Sequence, residues 1–309
     1  MLPKHPFFSI IVPTYNRPQK LADCLESLSH LDYPHDRFEV IVIDDGSSAP
    51  IQPVVEGFVN QLDVTLLTQT NAGPAAARNH GAKRAKGEFL AFTDDDCAPS
   101  PDWLKALAVR FGETPDYMVG GRTLNGLANN LYSTATHFLI EYLYSYHNAK
   151  SGQAHFLTSN NLALKGDRFH SIDGFNTFFS HAAAEDRELC DRWLRNGYRM
   201  TFAPEALVYH AHKLTFCSFC RQHFNYGSGA FSFHRGRSCS GAKNLGVEPL
   251  SFYLNLLRYP LSQNRPSQAL LLLPLMVLSQ VATVAGFLRE MVRQMIKKDN
   301  QPLSLERHD

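Results

Sequence analysis

Phe89-Leu90-Ala91-Phe92-Thr93-Asp94-Asp95-Asp96 decides how this sequence is read. Four apolar residues in a row have the length of a short buried strand, and they run straight into three consecutive carboxylates. A sheet that holds three carboxylates together in a cleft makes their mutual repulsion costly unless a cation is present, and magnesium or manganese is the natural partner. The other reading is a solvated acidic turn that leads through Pro99 into a helix whose N-terminus welcomes negative charge. Position directly after a buried strand favours the cation.

Working outward, short apolar runs alternate with helical patterns through the first two hundred residues, the signal of an α/β fold with a mostly parallel central sheet flanked by helices. Residues 8–12 form the first expected strand. After Pro13-Thr14-Tyr15-Asn16-Arg17-Pro18 the period changes, and Leu21, Cys24, Leu25 and Leu28 fall on one face of a helix that Pro18 can start. A second strand, 38–43, ends at Asp44-Asp45-Gly46-Ser47-Ser48, and a third, 64–67, is followed by Asn71-Ala72-Gly73-Pro74 and an alanine-rich helix. Gly87 is expected to stop that helix with a left-handed cap. Trp103, Leu107 and Phe111 mark a further helix beginning near Pro101. The polar loops thus collect at strand C-terminal ends, where open α/β sheets bind ligands.

From 117 to 179 the alternation blurs, interrupted by Gly120-Gly121, Asn129-Asn130 and Ser159-Asn160-Asn161. This stretch reads as pocket-shaping. A polar helix over 185–196, closed by Gly197, precedes a strand at 200–209. Glu185-Asp186 opens that helix, where the dipole is expected to keep a carboxylate ionised, as a general base requires; simple capping is the alternative. Asp44-Asp45-Gly46-Ser47 fits contacts to a base edge or ribose, and equally an ordinary turn.

With 309 residues the chain can bury a sizeable core, and its formal net charge is only +1. That balance argues against a protein that lives on a nucleic-acid backbone. Met1 to Phe8 lacks an apolar segment of the secretory type, so residence on the cytosolic side is expected. Six cysteines are too sparse for a disulfide framework, and Cys24 is placed to turn inward.

Taken in order, these motifs resemble the inverting family 2 glycosyltransferases, whose nucleotide-diphospho-sugar domain is the GT-A fold. Ser9-Ile-Ile-Val-Pro-Thr-Tyr-Asn-Arg-Pro18, Val42-Ile-Asp-Asp-Gly-Ser-Ser48 and Asn71-Ala-Gly-Pro-Ala-Ala-Ala-Arg-Asn-His-Gly81 resemble the family's opening pattern. Phe92-Thr-Asp-Asp-Asp96 resembles its DXD motif and Glu185-Asp-Arg-Glu-Leu189 its ED motif. The resemblance implies that Pro13, Thr14 and Tyr15 line the nucleoside pocket, that Asp45 holds the base, and that Arg78 approaches the base or diphosphate. Asp94 would face the donor ribose or sugar, or share the metal, and Asp95 would share it or face solvent. Asp96 would be the main ligand of a Mn2+ or Mg2+ ion, with His210 or His212 a further one.

By the same resemblance Asp186 is the general base, with Glu185 competing for the role, and Ser159, Asn160 and Asn161 reach the acceptor or the transferred sugar. The implied reaction moves a sugar from a nucleotide-diphosphate donor, with UDP the usual carrier, to a hydroxyl of a glycan, lipid-linked sugar or small molecule. Cell-surface, cell-wall or lipid-linked glycan synthesis is the implied setting, at the inner face of the plasma membrane.

The expected organisation is a catalytic domain at 1–215, with a nucleotide-binding half at 1–115 and an acceptor half at 116–215, then a helical, partly hydrophobic extension at 216–309. In that extension Cys217 and Cys220, with His210, His212 and His223 nearby, invite a zinc reading, although a structural site usually shows two regularly spaced ligand pairs. Residues 221–237 are rich in Phe, His and Arg. Residues 269–288 carry no charge and could just span a bilayer, but Arg289, Arg293, Lys297 and Lys298 would then cross it, so an in-plane segment or a dimer contact is preferred.

Three other functions compete. A dinucleotide-dependent oxidoreductase wants a Gly-x-Gly-x-x-Gly turn after the first strand, where Pro13-Thr14-Tyr15-Asn16 stands. A non-catalytic nucleotide-sugar or glycan-binding module would have no need of both Asp96 and Asp186. A pyrophosphorylase would want a glycine-rich basic loop near the N-terminus.

Overall fold

A computed structural model describes residues 5–148, 153–178, 184–239, 248–262 and 266–299; for 238–239, 266–269 and 297–299 it describes the backbone alone. Met1, Phe179 and the side chains of Lys297 and Lys298, named above, lie outside the described set. The chain divides into two compact units, Met1–Leu214 and Thr215–Asp309.

The first unit is built on one eight-stranded sheet. In chain order its elements are β1 (Phe8–Thr14), α1 (Pro18–Ser29), β2 (Phe38–Asp44), α2 (Gln52–Glu56), β3 (Val64–Thr68), α3 (Pro74–Arg84), β4 (Phe89–Phe92), β5 (Cys97–Pro99), α4 (Trp103–Glu113), β6 (Met118–Asn125), α5 (Leu131–His147), β7 (Leu162–Lys165), α6 (Gly166–Ser171), α7 (Glu185–Arg195) and β8 (Met200–His210). The sheet order is β3-β2-β1-β4-β7-β6-β8-β5. The first four strands run parallel, β7 is antiparallel to both β4 and β6, β8 is parallel to β6, and β5 runs antiparallel to β8. The sheet is therefore mixed, with the expected parallel majority, and helices cover both faces.

Alternation along β1 and β2 sorts their side chains onto the two faces. Ile10, Val12, Val40 and Val42 pack with Leu21, Leu25, Leu28, Trp103, Leu107 and Phe111 on one side. On the other, Ile11, Ile41 and Ile43 pack with Ala77, Ala82, Phe169 and Trp193. Both layers are buried, so these strands are apolar over most of their length. The parallel register aligns the C-terminal ends of β1, β2 and β4, and backbone bonds continue past them: Asp45 N donates to Thr14 O at 2.9 Å and Thr93 N to Ile11 O at 3.2 Å. Asp45 and Thr93 thereby leave the sheet along the same edge.

Two readings change. Gly87 is not a left-handed cap: α3 ends at Arg84 with Ala85 in extended backbone. A Cβ at position 87 would meet Ser9 N at 2.5 Å, so glycine is required there because the chain passes against β1. The stretch from 117 to 179 is also more regular than its sequence suggests. Asn130, which looked like an interruption, is the N-cap of α5, its Oδ1 accepting from Ser133 N at 2.8 Å. Gly197 does take the left-handed conformation after α7, with φ +80°.

The second unit contains three described helices, α8 (Phe216–Cys239), α9 (Leu250–Ser262) and α10 (Pro266–Asp299). α10 packs along both of the others, and Pro274 lies within it.

Candidate active site

The three aspartates leave β4 in different directions. Asp95 is buried, its Oδ2 accepting from Thr14 Oγ1 at 2.8 Å and its Oδ1 lying 3.1 Å from the Arg17 guanidinium. Burial pushes its carboxyl up to about 6, against the pull of Arg17.

Asp96 is the most heavily engaged. Its Oδ2 lies 2.9 Å from Lys20 Nζ, 3.3 Å from Arg17 and 3.0 Å from His212 Nδ1, and its Oδ1 lies 3.1 Å from His210 Nε2. Burial opposes ionisation here, but the hydrogen bonds to both histidines, together with Lys20, hold Asp96 well below the usual carboxylate range. His210 is raised in turn: burial opposes its charge, but the Asp96 bond and the negative charge of Asp96 and Asp94 together outweigh it. The pairing of β5 with β8 explains this convergence. Cys97, one residue after Asp96, sits opposite His210, and Ala211 N donates to Asp96 O at 2.8 Å.

One oxygen of Asp96 and one nitrogen from each of His210 and His212 lie within 4.8 Å of one another. The ionised carboxylate suits Mn2+ and the two imidazoles suit transition-metal ions in general, so the residues present fit a divalent transition-metal cation. Among the described residues, this mixed set is the cluster that could hold a metal, and it contains no cysteine. Cys217 is exposed on α8.

Asp94 turns the other way. Arg78, only 2% exposed, donates from NH2 to Asp94 Oδ1 at 2.7 Å and from NH1 to Glu185 Oε1 at 3.4 Å, with its guanidinium 5.4 Å from the Phe175 ring centre. Arg78 is therefore not free to meet a base or diphosphate. It ties the end of β4 to the start of α7. Glu185 is buried, and desolvation followed by repulsion from Asp186 pushes it up to about 7 despite Arg78. Asp186 is also raised by burial, against hydrogen bonds from the Arg187 and Ser159 N–H groups. The helix dipole, expected to keep this pair ionised, is outweighed by loss of water. Ala184, just before the pair, holds φ +73°, a strained value for a residue with a Cβ.

The remaining candidates divide. Asp45 is buried and already bonded: Oδ1 accepts from Gln69 Nε2 at 2.7 Å and Ala72 N at 2.9 Å, and Oδ2 from Gly73 N at 2.9 Å. It fixes the loop into α3. Pro13 and Thr14 lie in the last residues of β1, and Tyr15 beyond them is 48% exposed. Asn161 is fully buried; its Oδ1 accepts from Trp103 Nε1 at 2.9 Å and its Nδ2 donates to Ala206 O at 2.9 Å. It sits in the core, braced between α4 and β8, although the resemblance had pointed it at the acceptor. Asn160 Oδ1 accepts from Thr158 Oγ1 at 2.8 Å, while Ser159 offers its N–H to Asp186. Arg17 and Lys20 were missed as site residues. The available signal was basic side chains at the positive end of a helix, where they are disfavoured unless an anion is near.

Comparison with known proteins agrees with this arrangement. The glycosyl transferase family 2 model matches residues 9–187. Glycosyltransferase AglE of Haloferax volcanii is 27% identical over 231 residues, covering 72% of this chain and 73% of that protein. Poly(ribitol-phosphate) beta-N-acetylglucosaminyltransferase TarS of Staphylococcus aureus is 39% identical over 108 residues, covering 34% of this chain but only 19% of that protein. Among solved structures, the mannosyltransferase PcManGT of Pyrobaculum calidifontis, in complex with GDP-Man and Mn2+, aligns with a TM-score of 0.61 at 18% identity, covering 96% of this chain and 82% of the other. TarS residues 1–349 in complex with UDP-GlcNAc align at 0.53 and 20% identity, covering 95% and 92%. The match runs from β1 through the start of α7, so it takes in both carboxylate clusters, and the chain belongs to glycosyl transferase family 2 as a glycosyltransferase with the GT-A fold.

Proposed function

We propose that this enzyme transfers a sugar from a UDP-sugar to an acceptor hydroxyl with inversion, and that a divalent cation assists. The observation that carries the reading is Arg78, a buried guanidinium bonded at once to Asp94 and Glu185, which puts the strand-end aspartates and the helix-start carboxylates on one site. Asp96, His210 and His212 are the residues to hold the cation. When bound, it supplies Lewis-acid stabilisation of the diphosphate leaving group.

The chain's own residues have separate tasks. Arg17 and Lys20 add positive charge on the same edge as Asp96, suited to diphosphate oxygens. Tyr15, Pro13 and Thr14 form a wall for the nucleoside, beside the loop that Asp45 braces. Asp186 takes the proton from the acceptor hydroxyl as that oxygen attacks the anomeric carbon. Its raised pKa makes it a stronger base than a free carboxylate, and the Ser159 N–H orients it. Glu185 stays bound to Arg78 and sets the charge around the base. Asp94, partly exposed, faces the donor sugar.

UDP is preferred because TarS binds UDP-GlcNAc, and manganese because PcManGT binds it with GDP-Man. The setting is glycan synthesis at the cytosolic face of a membrane, with 1–215 as the catalytic domain and 216–309 as its extension. The test is a donor panel of UDP- and GDP-sugars followed by thermal shift and by donor hydrolysis, each with Mn2+ and with EDTA. A ligand that binds only the folded state raises the melting temperature. One donor is expected to do so in a Mn2+-dependent way and to be hydrolysed. Equal melting with every donor and no hydrolysis would leave the fold without this chemistry.

A further inference from the structure

α10 meets α8 by close backbone approach and leaves a long apolar stripe outside. Where the two helices touch, its residues are small and polar: a Cβ on Gly227 of α8 would meet Thr283 O at 1.8 Å, and one on Gly286 of α10 would meet Phe224 O at 1.9 Å, so the two backbones touch. Thr283 Oγ1 donates to His223 O at 3.2 Å, Ser228 Oγ donates to Gly286 O at 3.1 Å, and Ser279 is buried. Close approach through glycine with hydroxyl-to-carbonyl bonds is how helices associate where lipid gives no hydrophobic drive between them. Leu272 and Met276 are buried on that side and Phe287 meets Phe231 edge-on, while a stripe of large side chains points away. Leu270, Val277, Val281, Val284, Leu288 and Met295 are each between 48% and 70% exposed. At 3.6 residues per turn they fall within an arc of roughly 60° along a length of about 38 Å.

Charge and composition identify what covers this stripe. Residues 270–288 carry no charge, and an 18-residue stretch within Leu270–Ile296 has a mean hydropathy of 2.0. Arg289, Arg293, Lys297 and Lys298 then follow, against Glu290 and Asp299. A coiled-coil seam between two copies would be flanked by charged residues that set register. Here the flanking positions include Leu271, Leu273, Leu278 and Ala285. α8 also runs parallel to α10, with Ser228 level with Gly286 and Arg235 bonded to Gln294. That register puts Arg221, exposed on α8, beside the middle of the apolar segment, which disfavours a perpendicular crossing of the bilayer.

We propose that the partner of this face is a lipid bilayer. α10 lies in the membrane plane with its apolar stripe in the acyl region and its basic end among anionic headgroups. This deepens the membrane setting proposed above and does not depend on the catalytic chemistry. The test is sedimentation of the full chain with vesicles of phosphatidylcholine alone or mixed with phosphatidylglycerol, for the wild type and for a V281D/L288D double variant, without donor. The wild type is expected to bind both and the anionic vesicles more tightly, and the variant to lose at least about ten-fold in partitioning while keeping its circular dichroism melt and its donor hydrolysis. Equal vesicle binding by wild type and variant would overturn the proposal. So would a wild type that stays in the supernatant and sediments as a dimer that the variant separates, since that result assigns the stripe to a second copy. Because binding is read without donor, loss of donor hydrolysis in every form would count against the catalytic reading alone.

Discussion

The two carboxylate clusters of the catalytic unit are chemically alike and electrostatically opposite. Asp96, at the end of β4, is buried but surrounded by Lys20, Arg17, His210 and His212, which hold its carboxyl well below the usual range. Glu185, buried, and Asp186, half-buried, stand at the start of α7, where the Arg78 guanidinium bonds to Glu185, and both are pushed upward. The same residue type is thus held as an anion in one place and, on the proposed reading, serves as a proton acceptor in the other. What differs is the number of cationic partners that folding supplies, which decides whether desolvation or Coulomb attraction wins.

The sharpest way to break this contrast is to remove one member of each cluster. Asp186→Asn should lower the transfer rate by about 10³-fold, within the range for loss of a general base, while Mn2+-dependent donor binding by thermal shift persists. Asp96→Asn should cost about 10²-fold and abolish the difference between Mn2+ and EDTA. If both variants lost only donor affinity, the division of labour between the clusters would be wrong.

Arg78 links the two regions, so Arg78→Met should impair both. It leaves Asp94 and Glu185 without their partner, and removing one member of a buried ion pair typically costs about 3–5 kcal/mol, measurable by denaturant unfolding. Arg78→Lys restores the charge but not two-pronged geometry, and should recover only part of the loss.

The pH profile sharpens the comparison from the other side. Asp186 works only when ionised and its pKa is raised, so the transfer rate should increase with pH through the titration of the pair, Glu185 itself lying at about 7, and level off above it. Glu185→Gln removes a neighbouring negative charge and should move that limb to lower pH. A limb that did not move would separate the two carboxyls.

The smallest expected effect distinguishes site from scaffold. Asn161→Ala leaves Trp103 Nε1 and Ala206 O without a partner and should cost about 1–3 kcal/mol of stability. The KM for the acceptor should stay within about two-fold, because Asn161 does not reach solvent.

Much of the first hundred residues could be read directly. Strands at 8–12, 38–43, 64–67 and 89–92 all form, and Leu21, Cys24, Leu25 and Leu28 are buried together as their spacing required. These are local regularities, and a doubly covered parallel sheet makes its strands apolar on both faces. The stretch from 117 to 179 was less legible for a physical reason. α5 has buried and half-buried residues spread over a broad surface, so its apolar spacing is weak, and β7 contributes only four residues. Within the site, the strand-end position of Asp94, Asp95 and Asp96 followed from the sequence. The engagement of Asp45 by its own loop did not, since Asp-Gly-Ser reads the same whether the carboxylate faces a ligand or folds back.

By itself the sequence determined the period of each element, the apolar strands that must be buried, and the edge of the sheet at which the carboxylates emerge. Only the tertiary structure decided who their partners are. His210 meets Asp96 because β8 pairs with β5 across 114 positions, Arg78 reaches Glu185 across 107, and Asn161 is turned into the core by Trp103. Backbone preference and hydrophobic spacing act over a few residues and leave a local trace. Charge compensation is a property of the few ångströms around a group, and folding fills that space from segments that carry no local record of one another.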